Sequence, residues 1–94
     1  MLIEYDPSKS ARNDAERGLP FTVMEHPDWE GAVFLEDTRF EYPERRFIGL
    51  GKIGQRLHVV CFTPIQGGIR VISLRKANAR EIRRYEKATH GQRR

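Results

Sequence analysis

Arginines dominate the side chains of this sequence that could act on a substrate. Arg46 opens one apolar run, and Arg70, Ser73 and Arg75 lie along another. Glu81 follows six residues later, and Tyr85 four after that. A guanidinium keeps its charge at any working pH, and its fork matches two phosphate oxygens at once. A carboxylate or a phenol adds a proton donor or acceptor. Such a set suits RNA cleavage without a metal. There the ribose 2′-hydroxyl attacks its own phosphate, and a protein supplies a base, an acid and cations for the phosphorane charge. Glu81, Tyr85, His58 and Lys9 are the candidates for base or acid.

Each of these residues also has a plainer reading. Strand alternation puts Val71, Ser73 and Arg75 on one face and Arg70, Ile72 and Leu74 on the other. Without a bulge, Arg70 and Arg75 therefore do not both point into one site. Ser73 and Arg75 then form the coherent polar pair, with Ile72 and Leu74 as core. Arg70 reads equally as half of a sheet-edge salt bridge to a carboxylate such as Glu81. His58 shares a strand face with Val60 and Phe62 and suits a buried, hydrogen-bonded histidine. Tyr85 suits a helix–sheet anchor, and Glu81 a cap partner.

Other chemistries find no support. His26, His58 and His90 are scattered, and Cys61 has no second cysteine, so no metal site is expected. Gly49-x-Gly51-x-x-Gly54 resembles a dinucleotide fingerprint but leads into a strand instead of opening a helix. No hydrolase nucleophile elbow is present. No cofactor is expected.

The 94 residues carry a net charge of +4, unevenly spread. Residues 1–69 hold eight Lys/Arg against eleven Asp/Glu, a net of −3, whereas residues 70–94 hold nine against two, a net of +7. The basic end suits a polyanion or an acidic protein. No apolar run approaches the roughly 20 residues of a membrane helix, and no basic start leads into an apolar stretch. With the single cysteine, this predicts a reduced, cytoplasmic compartment.

The elements that must position these residues form one domain over 1–90, with 91–94 expected to be a disordered tail. Ile3 to Pro7 reads as a short strand or extended lead-in. A helix follows to Arg17, capped by Asp6 or Ser8, stopped by Gly18, and turned inward through Ala11 and Ala15. Phe21–Met24 reads as a short helical turn closed by Pro27. Four strands follow: Ala32–Leu35, Arg46–Gly51, Arg56–Thr63 and Ile69–Arg75. Hairpin turns at Lys52–Gln55 and Pro64–Gly68 make the last three a meander. Asn78 and Glu81 form a capping box for a final helix, which docks through Ile82, Tyr85 and Ala88. Helices on one side of an antiparallel sheet make an α+β fold.

In this register the ending Arg70-Val-Ile-Ser73-Leu-Arg75-Lys-Ala77-x-x-x-Glu81-x-x-x-Tyr85 resembles the R-I-I-S-A-R-x-A-x-x-x-E-x-x-x-Y signature of the BrnT toxins of type II toxin–antitoxin systems. Ile3-Glu4-Tyr5-Asp6 with Lys9 and Asn13 is similar to that family's F-x-W-D-x-x-K-x-x-x-N opening. Glu16-Arg17-Gly18 with Phe21 occupies its K-H-G-x-x-F position, and Glu44-Arg45-Arg46-Phe-Ile-Gly49 its E-x-R-x-x-x-G strand. Arg17 stands where the family has histidine, so no role of that histidine carries over. Tyr5 replaces tryptophan, and Leu74 replaces alanine at an inward position.

The resemblance implies a compact RelE-like fold, with N-terminal helices and a C-terminal helix on a curved antiparallel sheet of about four strands. It implies a metal-independent endoribonuclease that arrests translation. It also implies a partner, a BrnA-like ribbon–helix–helix antitoxin that neutralises the toxin and contacts operator DNA. By matched position the catalytic set is Arg46, Arg70, Arg75, Glu81 and Tyr85. Lys9, Arg80, Arg83, Arg84 and Lys87 are expected to hold RNA. The competing reading is a non-catalytic nucleic-acid-binding or antitoxin-docking module. A dedicated single-strand binder needs exposed aromatics among its arginines, and residues 70–94 offer only Tyr85.

Overall fold

A computed structural model describes residues 2–25, 29 and 31–90. The expected stop at Pro27 and the expected tail at 91–94 lie outside the described residues. The elements are β1 (Leu2–Glu4), α1 (Pro7–Arg17), a 3₁₀ helix (Phe21–Glu25), β2 (Val33–Glu36), β3 (Phe47–Ile53), β4 (Arg56–Ile65), β5 (Gly68–Lys76) and α2 (Ala79–His90). They build a mixed α+β fold around a five-stranded sheet of order β1-β5-β4-β3-β2. Strands β2, β3, β4 and β5 pair antiparallel with one another in that order. The fifth strand is the lead-in, β1, which pairs parallel with β5. No helix among the described residues is long and apolar enough to cross a membrane.

The helices do not gather on one side of the sheet. In β4 the run Leu57, His58, Val59 and Val60 is buried without interruption, and a strand buried on both faces must be covered on both. One cluster joins Val60, Phe62, Val71 and Leu74 to Leu19, Phe21, Met24 and Trp29. The other joins Leu50, Leu57, Val59 and Ala77 to Ile82 and Tyr85 of α2. Because Val59 and Val60 point oppositely, the 3₁₀ helix covers one face and α2 the other. Gly49 and Gly51 serve the first of these. A Cβ on either would strike the Phe34 or the Trp29 ring, so the glycines let those rings lie close to the sheet.

The local signals at the ends of α1 hold. The Asp6 carboxylate accepts from Ser8 N at 2.9 Å, Pro7 occupies the first turn, and Gly18 adopts φ 68°. The inward side is different from the alanine stripe. Ala11 and Ala15 are exposed, while Ser10 and Asn13 are buried. Ser10 Oγ accepts from Phe21 N at 2.9 Å. The Asn13 amide donates to Leu19 O at 2.6 Å and to Leu74 O at 2.9 Å. Hydrogen bonding to otherwise unpaired backbone thus outweighs the small gain from burying two methyl groups.

Strand β5 carries the change with the most consequence. Cys61 pairs with Ser73, but the next residue of β4, Phe62, pairs with Val71. Ile72 is the extra residue of a β-bulge. Alternation restarts across it, so Val71 and Leu74 share the core face, 3% and 0% exposed. Ile72 is displaced to an intermediate position.

Candidate functional site

Residues directly opposite on paired strands share a face. Arg70 stands opposite Thr63, Ser73 opposite Cys61 and Arg75 opposite Val59. These three β4 residues alternate with the core-facing Val60 and Phe62, so Arg70, Ser73 and Arg75 all project from the α2 side. The bulge unites what regular alternation would divide. Side chains of α2 cover the Leu50, Leu57 and Val59 end of this face, and the arginines lie along its β5 margin.

Arg70 is tied at the sheet edge, but to Glu4 and not to Glu81. Its Nη2 lies 2.7 Å from Glu4 Oε1, and both side chains are 46% exposed. Arg75 is the partner of Glu81. Its Nη1 and Nη2 donate to Oε1 and Oε2 at 2.8 Å each. The capping box fixes the carboxylate in turn, since Asn78 N donates to Glu81 Oε1 and Glu81 N to Asn78 Oδ1, both at 2.9 Å. Its bond with Arg75 holds the Glu81 carboxyl below the usual carboxylate range, and the same bond raises the Arg75 guanidinium. Glu81 is therefore a persistent anion that aims Arg75, and a poor proton acceptor.

Arg46 ends the β2–β3 loop. Its guanidinium carbon lies 4.2 Å from the Tyr42 ring centroid, and its Nε is buried without a hydrogen-bond partner. The loop is organised by Asp37, whose side chain is 1% exposed. That carboxylate accepts from Arg39 N, Nε and Nη2 and from the Tyr42 hydroxyl, at 2.9–3.2 Å. Asp37 N closes the loop by donating to Arg46 O at 2.7 Å. Hydrogen bonds from Arg39 hold the Asp37 carboxyl far below the usual range. Nothing in residue type or spacing alone marks Asp37 as a clamp. Burial pushes the Cys61 thiol up, while Arg46, Arg39 and Lys9 pull it down.

Helix α1 supplies the other wall. Lys9, Arg12, Asn13 and Arg17 line one groove with Ile72 and Ser73. Glu16 and Arg17 line a second with Arg75 and Lys76. Arg17 belongs to both, and its Nη1 donates to Asn13 Oδ1 at 3.0 Å. No functional signal in this sequence alone pointed to Arg17.

The remaining expected residues lie apart. Tyr85 lines a groove with Lys52, Gln55, Arg56, Leu57, Ile82 and Glu86, which contains none of Arg46, Arg70 and Arg75. Arg80, Arg83, Arg84 and Lys87 are exposed along α2. His58 is 4% exposed on the opposite face of the sheet. Its Nδ1 lies 2.8 Å from Arg56 O, and a carbonyl only accepts, so Nδ1 carries the proton. Burial lowers its pKa. Among the described residues, no three His, Cys, Asp or Glu side chains converge as a metal site.

Comparison with known proteins agrees with this architecture. A family model described as "Ribonuclease toxin, BrnT, of type II toxin-antitoxin system" matches residues 5–81. The crystal structure of the Brucella abortus ribonuclease toxin BrnT, at 1.1 Å resolution, superposes with a TM-score of 0.65 and 26% identity, over 81% of this chain and 95% of that one. Among curated proteins, no sequence matches.

Proposed function

The chain belongs to the BrnT family of ribonuclease toxins of type II toxin–antitoxin systems, and from that premise we propose that it cuts RNA, without a metal, on the arginine face of its sheet. Membership of such a system implies an RNA target and a cognate antitoxin protein. The observation that carries the reading is the bulge at Ile72, which sets Arg70, Ser73 and Arg75 on one face. Arg46 adjoins it in the chain, since Arg45 O accepts from the hydroxyl of Thr63, which stands opposite Arg70.

In the proposed reaction the 2′-oxygen forms a bond to phosphorus as the bond to the 5′-oxygen breaks, leaving a 2′,3′-cyclic phosphate and a 5′-hydroxyl. The proton lost by the 2′-hydroxyl is balanced by one gained at the 5′-oxygen. Negative charge peaks on the phosphorane oxygens between these events. Arg75, aimed by Glu81, and Arg46 meet that charge, and Arg70 binds an adjoining phosphate by exchanging Glu4 for it. Lys9 lines the α1 wall beside Ser73, with Arg12 and Arg17. Tyr85 anchors α2, and Arg80, Arg83, Arg84 and Lys87 hold RNA flanks by charge. Cleavage of messenger or ribosomal RNA would stop translation. The antitoxin we propose is a BrnA-like ribbon–helix–helix protein whose acidic surface meets the basic end.

The test is incubation of the purified protein with end-labelled RNA in excess chelator. Cyclic-phosphate ends and resistance of a 2′-deoxy substrate are expected. Cleavage restored only by added metal, or 5′-phosphate ends, would refute the mechanism.

A further inference from the structure

Phe40 is the most exposed large apolar side chain among the described residues, at 66%, yet it sits in an ordered setting. Its ring meets the Tyr42 ring edge to face at 5.9 Å, and the Arg39 guanidinium carbon lies 5.9 Å from its centroid. The Arg46 guanidinium carbon in turn lies 4.2 Å from the Tyr42 ring centroid. Cation, ring, ring and cation thus follow one another along a single loop. The buried Asp37 carboxylate binds Arg39 and Tyr42 and so fixes both neighbours of the Phe40 ring. A loop held this firmly around a ring left in water is pre-organised for a flat partner.

We infer that the 39–46 loop is a stacking platform for an unpaired RNA base, with Phe40 taking the base and Arg39 and Arg46 the phosphates beside it. Every base has a π-face, and aromatic rings flanked by arginines bind single strands through it. Thr63, which stands opposite Arg70, donates its hydroxyl to Arg45 O, which sets the end of the loop beside the arginine face. The inference rests on the ribonuclease reading and adds a subsite to it. It also supplies the aromatics that residues 70–94 lack.

The probe is a single-stranded 2′-O-methyl oligonucleotide, which cannot be cut because its attacking hydroxyl is blocked. Its affinity for the full chain is read by fluorescence anisotropy. Phe40→Ala and Phe40→Leu should each weaken binding by about 5–150-fold, while Phe40→Trp keeps it. The slope of affinity against salt should not change, because no phosphate contact is lost. Wild-type affinity in Phe40→Ala overturns the inference. So does wild-type affinity in Phe40→Leu, since an apolar side chain without a ring would then suffice, as in a protein interface. If the wild type binds no oligonucleotide at all, the ribonuclease reading fails with it. If Arg75→Ala weakens binding and Phe40→Ala does not, only the platform is wrong.

Discussion

Arg75 grips Glu81 through two parallel hydrogen bonds of 2.8 Å, and the same carboxylate caps α2 through Asn78 N. One residue thus starts the helix and aims the cation that precedes it. Glu81→Gln should keep the cap but release Arg75, lowering the rate of RNA cleavage by about 10–100-fold with a smaller change in KM. Stability, read by urea denaturation, should fall by about 1 kcal/mol or less, because the Arg75 side chain is 42% exposed and water screens the pair.

Acid should destabilise the fold in two stages. His58 is held neutral by burial, so the unfolded chain binds its proton first, and stability begins to fall as pH drops through about 6.5. Asp37 and Glu81 have depressed values. Their contributions are complete above the unfolded carboxylate range near about 4 and are lost below it. Thermal melts across pH should show both stages. Glu81→Gln should flatten the lower one, and His58→Gln the upper one.

Asn13 is the polar pin between α1, the following loop and β5. Asn13→Ala removes both donors and leaves the buried Leu19 and Leu74 carbonyls without a partner, costing about 1–3 kcal/mol per unpaired group. Asn13→Asp should be at least as harmful, since it sets an acceptor against two acceptors. Both should lower the denaturation midpoint, and hydrogen exchange along α1 should rise first.

The outer cations of α2 should act by charge alone. Arg83→Ala or Lys87→Ala should weaken RNA binding at all sequences and reduce the salt slope by about 1 each. Cleavage at saturating RNA should stay unchanged. An Arg17→Ala variant should also lose affinity, since Arg17 lines both grooves of the α1 wall.

Much of this was legible in local sequence. The cap at Asp6 or Ser8, which falls to Asp6, the Gly18 stop and the Asn78–Glu81 capping box all depend on neighbours within a few residues. The burial of β4 on both faces matches its run Leu57–Phe62, which only His58 interrupts, although helices on one side were expected. The bulge was not legible. Whether β5 keeps strict alternation depends on its pairing with β4 across a register that no single strand encodes. Regular alternation therefore separated Arg70 from Arg75. The Asp37 clamp escaped for a similar reason, because its meaning lies in Arg39 and Tyr42 folding back on it. The buried face of α1 was misread because apolar periodicity does not register a helix held by Ser10 and Asn13 hydrogen bonds.

The central claim is that arginines gathered on one sheet face cut RNA. Its most direct test is the single-turnover cleavage rate of wild type, Arg46→Ala, Arg75→Ala and Arg83→Ala on one labelled RNA. Losing a cation that meets the phosphorane should slow Arg46→Ala and Arg75→Ala by about 100–1,000-fold, with Arg83→Ala close to wild type at saturation. Cleavage by Arg46→Ala and Arg75→Ala at the wild-type rate would contradict the account.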